Sequence, residues 1–282
     1  MTALEAVTGH YVALDLDGLP HRVYFEEAGE GIPLLCQHTA GAHGSQWRHV
    51  LASQEVTRHF RVIAYDLPYH GKSLPPEGRA WWSEEYRLTK SFLMQVPLAL
   101  SRALSLDRPA FIGSSIGGHL ALDLASNHPD AFRAVIGLEA GAATPGGHQG
   151  IMNHPRVSNA FKASLMYGLT APTAPERYRR ETEWVYSQGA PPVFKGDLYY
   201  YSVDHDMSDA ELAAIDTSRC AVHMLTGVYD WTATPALSQQ AAEKIPGASF
   251  QPMEGLGHFP MCEDPEVFLA ALLPVLEKVR AS

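Results

Sequence analysis

Apolar residues come in short bursts along this chain, and the spacing of the bursts predicts its elements. The first thirty residues read as two antiparallel strands, at about 10–15 and 21–26, joined by a turn at Asp17-Gly18. The runs at 32–37 and 60–65 are different: short, apolar nearly throughout and flanked by turn residues, as strands buried on both faces should be. Residues 109–113, 134–139, 221–227 and 248–253 repeat that signature. Helical spacing lies between them. Leu88, Phe92, Val96, Leu100 and Leu104 share one face of a helix expected at 83–106, which Pro97 should bend or split. A helix is expected at 116–127, and another opened by Thr234 as cap and Pro235 at its first position. Asp264-Pro265 starts the closing helix, with Val267, Ala270, Ala271 and Val275 expected toward the core. Strands alternating with helices imply an α/β fold around a doubly wound, mostly parallel sheet.

Between 141 and 218 the alternation stops. No buried strand is legible there, only helical segments near 158–168, 176–188 and 208–215, rich in aromatics such as Trp184, Tyr186 and the run Tyr199-Tyr200-Tyr201. This stretch reads as a helical cap inserted into a core made of 1–140 and 219–282. With 282 residues, 46% hydrophobic and 18% charged, the chain suits one α/β domain with an insertion and leaves no room for long disorder.

Gly113-Ser114-Ser115-Ile116-Gly117 stands at a strand-to-helix junction, which would put Ser115 on a sharp bend with its hydroxyl exposed. A helix beginning at Ile116 points free N–H groups at whatever Ser115 attacks. A serine hydroxyl needs a base within reach, and the base needs an acid to fix its tautomer. In a parallel sheet, residues just past the strands' carboxyl ends converge on one edge. Asp230 follows the strand at 221–227 and His258 follows the last strand, so Ser115, Asp230 and His258 share that edge. Glu139, ending the strand at 134–139, is the rival acid, although ordering the hinge of the cap is its expected role. Asp204 and Asp206 lie too far from a strand end.

These motifs, over nearly the whole chain, resemble the α/β-hydrolase fold superfamily of serine hydrolases with a helical cap. The resemblance implies an eight-stranded sheet and a Ser115–His258–Asp230 triad acting through an acyl-enzyme. Asp66-Leu67-Pro68-Tyr69-His70-Gly71-Lys72-Ser73 resembles the family's loop after the fourth strand. Gln37-His38-Thr39-Ala40-Gly41 resembles its oxyanion loop, with Thr39 where the family usually has glycine. The oxyanion donors it implies are Ile116 and either Ala40 or Thr39, with Ala40 preferred. A serine rather than an aspartate as nucleophile argues against alkyl-attacking dehalogenases and epoxide hydrolases. The leading expectation is a carboxylesterase for small or medium, partly apolar esters. Its alternatives are a carbon–carbon hydrolase of the ring-cleavage type, a lactonase or a thioesterase, and outside catalysis a ligand receptor. Ring-cleavage enzymes usually carry Trp after the catalytic His, where this chain has Phe259.

Four side chains near the expected edge are candidate substrate contacts: His38, Trp47, Trp231 and Phe259. The net charge of −10 with no basic block argues against nucleic acid or an anionic membrane as partner. No run is long enough to span a bilayer, and Met1 to His10 lacks the pattern of a signal peptide. Three cysteines cannot close a disulfide framework, so a reduced, cytoplasmic protein is expected. The fourteen histidines are scattered without a zinc-hydrolase spacing; Asp204-His205-Asp206 is the nearest cluster, and no metal or cofactor is expected. A homodimer through the cap or an edge strand is compatible with the sequence, which does not specify one.

Overall fold

The computed structural model describes residues 5–144 and 150–281. Eight strands form one sheet: β1 (Thr8–Leu16), β2 (Leu19–Ala28), β3 (Ile32–Gln37), β4 (Phe60–Tyr65), β5 (Ala110–Ser114), β6 (Ala134–Leu138), β7 (Ala221–Gly227) and β8 (Ser249–Met253). Their order is β1-β2-β4-β3-β5-β6-β7-β8. β2 pairs antiparallel with β1 and with β4, and every other pairing is parallel. The central strands β5 and β6 are buried along their whole length, which explains their unbroken apolar sequence. Each fully buried leucine or isoleucine there contributes roughly 1.5–3 kcal/mol over its exposed state.

Register sets up the site. Ser114 pairs with Leu138, Leu138 with Leu225, and Gly227 with Met253, so these strands finish side by side. The residues that follow them emerge along one edge.

The helix at Ile116–Asn127 lies where the sequence puts it, and Thr234 caps the helix Pro235–Lys244 by accepting from Leu237 N–H. Two readings need correction. The helix expected from 83 begins only at Lys90, where Thr89 caps it, and it runs through Pro97 to Ala103 without splitting. The closing helix Pro265–Ala281 buries Phe268, Leu272, Val275, Leu276 and Val279. Val275 is buried and Ala271 packs partly buried on the core as expected, whereas Val267 is 40% exposed and Ala270 is exposed too.

Helices at Ala160–Gly168, Glu176–Ser187, Pro191–Tyr199 and Asp209–Ala213 fill the stretch between β6 and β7. The third is absent from the sequence reading because Pro191-Pro192 looks like a breaker. At the first helical positions a missing N–H costs nothing, and there proline starts a helix. Among the described residues, no helix is long and apolar enough to cross a membrane.

Candidate functional site

Ser115 sits between β5 and the helix Ile116–Asn127 with φ 57° and ψ −110°. A side-chain-bearing residue in that region costs about 1–3 kcal/mol and persists only where its surroundings hold it. Here Ser115 N–H donates to Leu138 O at 2.9 Å, and Ser115 O accepts from His119 N–H at 2.9 Å. The flanking glycines are needed for close approach. A Cβ on Gly113 would come within 2.5 Å of the Gly117 backbone, and one on Gly117 within 2.6 Å of Gln37 Cγ.

Three side chains distant in sequence then join in one row. His258 Nε2 lies 3.0 Å from Ser115 Oγ, and His258 Nδ1 lies 2.6 Å from Asp230 Oδ2. The other Asp230 oxygen accepts from Thr232 N–H at 2.8 Å, Thr232 Oγ1 at 2.8 Å and Ala233 N–H at 3.2 Å. Burial works to raise the Asp230 pKa. The facing imidazole and these hydrogen bonds outweigh it and bring the pKa down to about 2. An ionised Asp230 holds the imidazole proton on Nδ1, which leaves the Nε2 lone pair for the Ser115 hydroxyl.

Glu139 stands behind Asp230 and does not bond the imidazole. Both its oxygens accept from Gly227 N–H, at 3.0 and 3.1 Å. Burial first, and then the charge of Asp230, push its pKa well above the usual range, so it stays neutral and hydrogen-bonds to Asp230. The sequence puts both carboxyls at strand ends on one edge but does not show that they bond each other. The pair carries a pH signature. A raised folded-state pKa means that stability falls as pH climbs from the ordinary Glu range toward Glu139's own pKa. Glu139→Gln keeps one oxygen to accept from Gly227 N–H, offers its NH₂ to Asp230 and has nothing to ionise. The variant should match the wild type in acid and exceed it increasingly as pH rises, in thermal melts run from pH 4 upward.

The loop candidates separate cleanly. Ile116 is the first residue of its helix, so its N–H has no intrahelical acceptor. Ala40 lines the cavity beside Ser115, and its N–H has no protein acceptor among the described residues. Thr39 is spent: its N–H donates to Gln46 Oε1 at 3.0 Å, and its hydroxyl contacts Gln46 and Tyr186. His38 is fully buried and outside the cavity wall. Its Nδ1 bonds Thr39 O at 2.8 Å and its Nε2 accepts from Leu67 N–H at 3.0 Å, bracing two loops. Burial, reinforced by neighbouring His70, holds its pKa well down, so it is neutral.

Trp47 is also away from the cavity, with no exposed surface and its ring 6.4 Å from that of Phe268. It is core. Trp47→Ala should cost about 3–5 kcal/mol of stability, read by denaturant unfolding, while leaving the ranking of substrates unchanged. Phe259 is fully buried and packs edge-on to His258 at 4.9 Å, supporting the imidazole rather than lining the cavity. Trp231 does line it, two-thirds exposed at the rim.

The cavity holds about 340 Å³. Leu165, Met166, Leu169, Phe194 and Leu198 from the stretch after β6 contribute to its apolar wall, and besides Ser115 and His258 its polar points include His119, Glu139, Thr144 and Thr232. No lysine or arginine is among the described residues lining it. One of those helices also reaches the loop after β3. The buried carboxylate of Asp197 accepts from Gly41 N–H at 2.7 Å and pairs with His70 Nε2 at 2.8 Å. Burial opposes a charged His70, but the Asp197 carboxylate more than reverses this and raises its pKa.

Cys36 and Cys262 are buried, and burial pushes the Cys262 thiol up to about 12 and Cys36 well above its usual value, so neither is a nucleophile. Among the described residues no group of side chains is arranged to hold a metal ion. Asp204 and His205 are spent on Lys90 N–H (2.8 Å) and Asp123 (2.9 Å).

Comparison with known proteins agrees with the fold. Residues 34–271 match the family described as the alpha/beta hydrolase family. A putative carbamate hydrolase of a Caulobacter species is 24% identical over 280 residues, covering 93% of this chain and 96% of the relative. A thermophilic esterase from Thermogutta terrifontis superposes with a TM-score of 0.81 at 22% identity, covering 96% of this chain and 99% of the other. The enol-lactonase of Burkholderia xenovorans gives 0.80 at 19% identity, covering 96% and 100%.

Proposed function

Since the chain belongs to the alpha/beta hydrolase family, we propose that it is a serine esterase, hydrolysing small to medium, uncharged and partly apolar carboxylic esters through an acyl-enzyme on Ser115. The observation that carries the reading is the unbroken row from Ser115 Oγ through His258 to Asp230, at 3.0 and 2.6 Å, opening into an apolar cavity. His258 takes the Ser115 proton as Oγ attacks the carbonyl carbon, then returns it to the leaving alcohol. Water, deprotonated by the same imidazole, releases the acid. Ile116 and Ala40 N–H hold the oxyanion, a contribution of roughly 3–4 kcal/mol per donor.

The helices after β6 act as a cap that sets acyl length. A wall without lysine or arginine has nothing to neutralise a carboxylate, so anionic substrates pay desolvation without a partner. That favours esters over the charged diketo acids of ring cleavage. The test is a turnover screen of p-nitrophenyl esters from acetate to decanoate beside a lactone, a thioester, a carbamate and a vinylogous diketo acid. Short to medium esters should lead. A carbamate or diketo acid cleaved tenfold faster than every ester would contradict the reading.

A further inference from the structure

The run Tyr199-Tyr200-Tyr201 ends its helix in a wide π turn, Tyr200–Asp204, and such turns often mark functional positions. This one is tied down on both sides. Tyr200 donates to Asp123 of the helix Ile116–Asn127, and His205 Nδ1 pairs with the same carboxylate at 2.9 Å. Asp204 Oδ2 accepts from Lys90 N–H at 2.8 Å. Between these anchors the Tyr201 ring packs edge-on against His119 at 5.2 Å. Its hydroxyl is buried 2.5 Å from Ser115 Oγ and faces the Ile116 N–H. Burial raises the phenol's pKa, so it keeps its proton.

An oxyanion formed by attack of Ser115 would lie next to Oγ and within reach of Ile116 N–H. The Tyr201 oxygen stands in that place. We propose that Tyr201 is a third oxyanion donor, its phenol O–H bonding the substrate carbonyl oxygen as Ser115 attacks. The inference rests on Ser115 being the nucleophile. For a carbonyl oxygen to reach the Ile116 N–H, the Tyr201 side chain turns aside and gives up its present partners, while the turn that carries it stays tied to Asp123 and Lys90. The side chain is buried, and a buried hydroxyl left unpaired is costly. The nearest acceptor is the incoming oxygen itself, and the bond strengthens as negative charge develops on it. No proton changes hands; the phenol keeps its hydrogen from ground state to product.

Tyr201→Phe removes one oxygen and keeps the ring. With p-nitrophenyl butyrate, kcat should fall about 10- to 100-fold, with KM within about threefold of wild type. Phenylboronic acid, whose boronate imitates the oxyanion, should bind at least tenfold more weakly, with rates and affinities measured well below the melting temperature of either protein. A Tyr201→Phe enzyme that turns over as fast as wild type, or faster, would overturn the proposal, because the phenol would then only plug the site. Ser115→Ala run alongside separates the two failures. Turnover that survives Ser115→Ala sinks the esterase reading, whereas turnover lost there but intact in Tyr201→Phe removes only the role given to Tyr201.

Discussion

Ser115→Ala should lower ester turnover by about four to six orders of magnitude, leaving the residue catalysis of a polarising cavity without a nucleophile. The fold should be nearly indifferent to the change. Alanine keeps the Cβ at φ 57°, and the backbone bonds to Leu138 and His119 do not involve the hydroxyl. What disappears is one oxygen, hydrogen-bonded to His258 and Tyr201. A melting temperature within a few degrees of wild type, beside a collapsed kcat, would place the loss in chemistry and not in folding.

Asp230→Asn is the second large effect, and its direction follows from which oxygen is committed. Three donors, Thr232 N–H, Thr232 Oγ1 and Ala233 N–H, converge on Oδ1. An asparagine must turn its carbonyl to them, which puts its NH₂ group where Oδ2 now meets His258 Nδ1. Two donors cannot share that 2.6 Å contact, so the imidazole proton moves to Nε2 and points at Ser115. The base is then in the wrong tautomer. A loss of about 10⁴ in kcat is expected, the size seen when a serine protease triad is altered in the same way. Asp230→Ala should lose activity as well but also destabilise the loop, because three donors are left without an acceptor.

How much of this was legible beforehand depends on whether a feature is local. β3, β4 and β7 fall on their expected residues because strands buried on both faces need continuous apolar sequence bounded by turn residues. The row of Ser115, His258 and Asp230 was legible for a topological reason: parallel strands end together, so residues just past those ends meet. Trp47 and His38 look like site residues by that same rule. Trp47 instead turns under the sheet edge onto Phe268, and His38 spends both ring nitrogens on backbone. Position after a strand gives the neighbourhood and not the direction of a side chain.

On the closing helix Val275 and Ala271 pack on the core as expected, but Phe268 and Leu272 face it while Val267 and Ala270 do not, a difference that small alanines could not reveal. Least legible were contacts that join distant segments without any period: Asp197 on Gly41 and His70, and Tyr201 on Ser115. Both depend on how the helices after β6 settle over the sheet.

Covalent trapping tests the central claim most directly. A fluorophosphonate reacts with a serine only when a neighbouring base activates it, and intact mass with peptide mapping finds where it lands. One adduct per chain is predicted, on Ser115, absent from Ser115→Ala and formed far more slowly in His258→Ala. A protein that hydrolyses esters while Ser115 stays unlabelled, or that carries its adduct on another residue, would contradict the account.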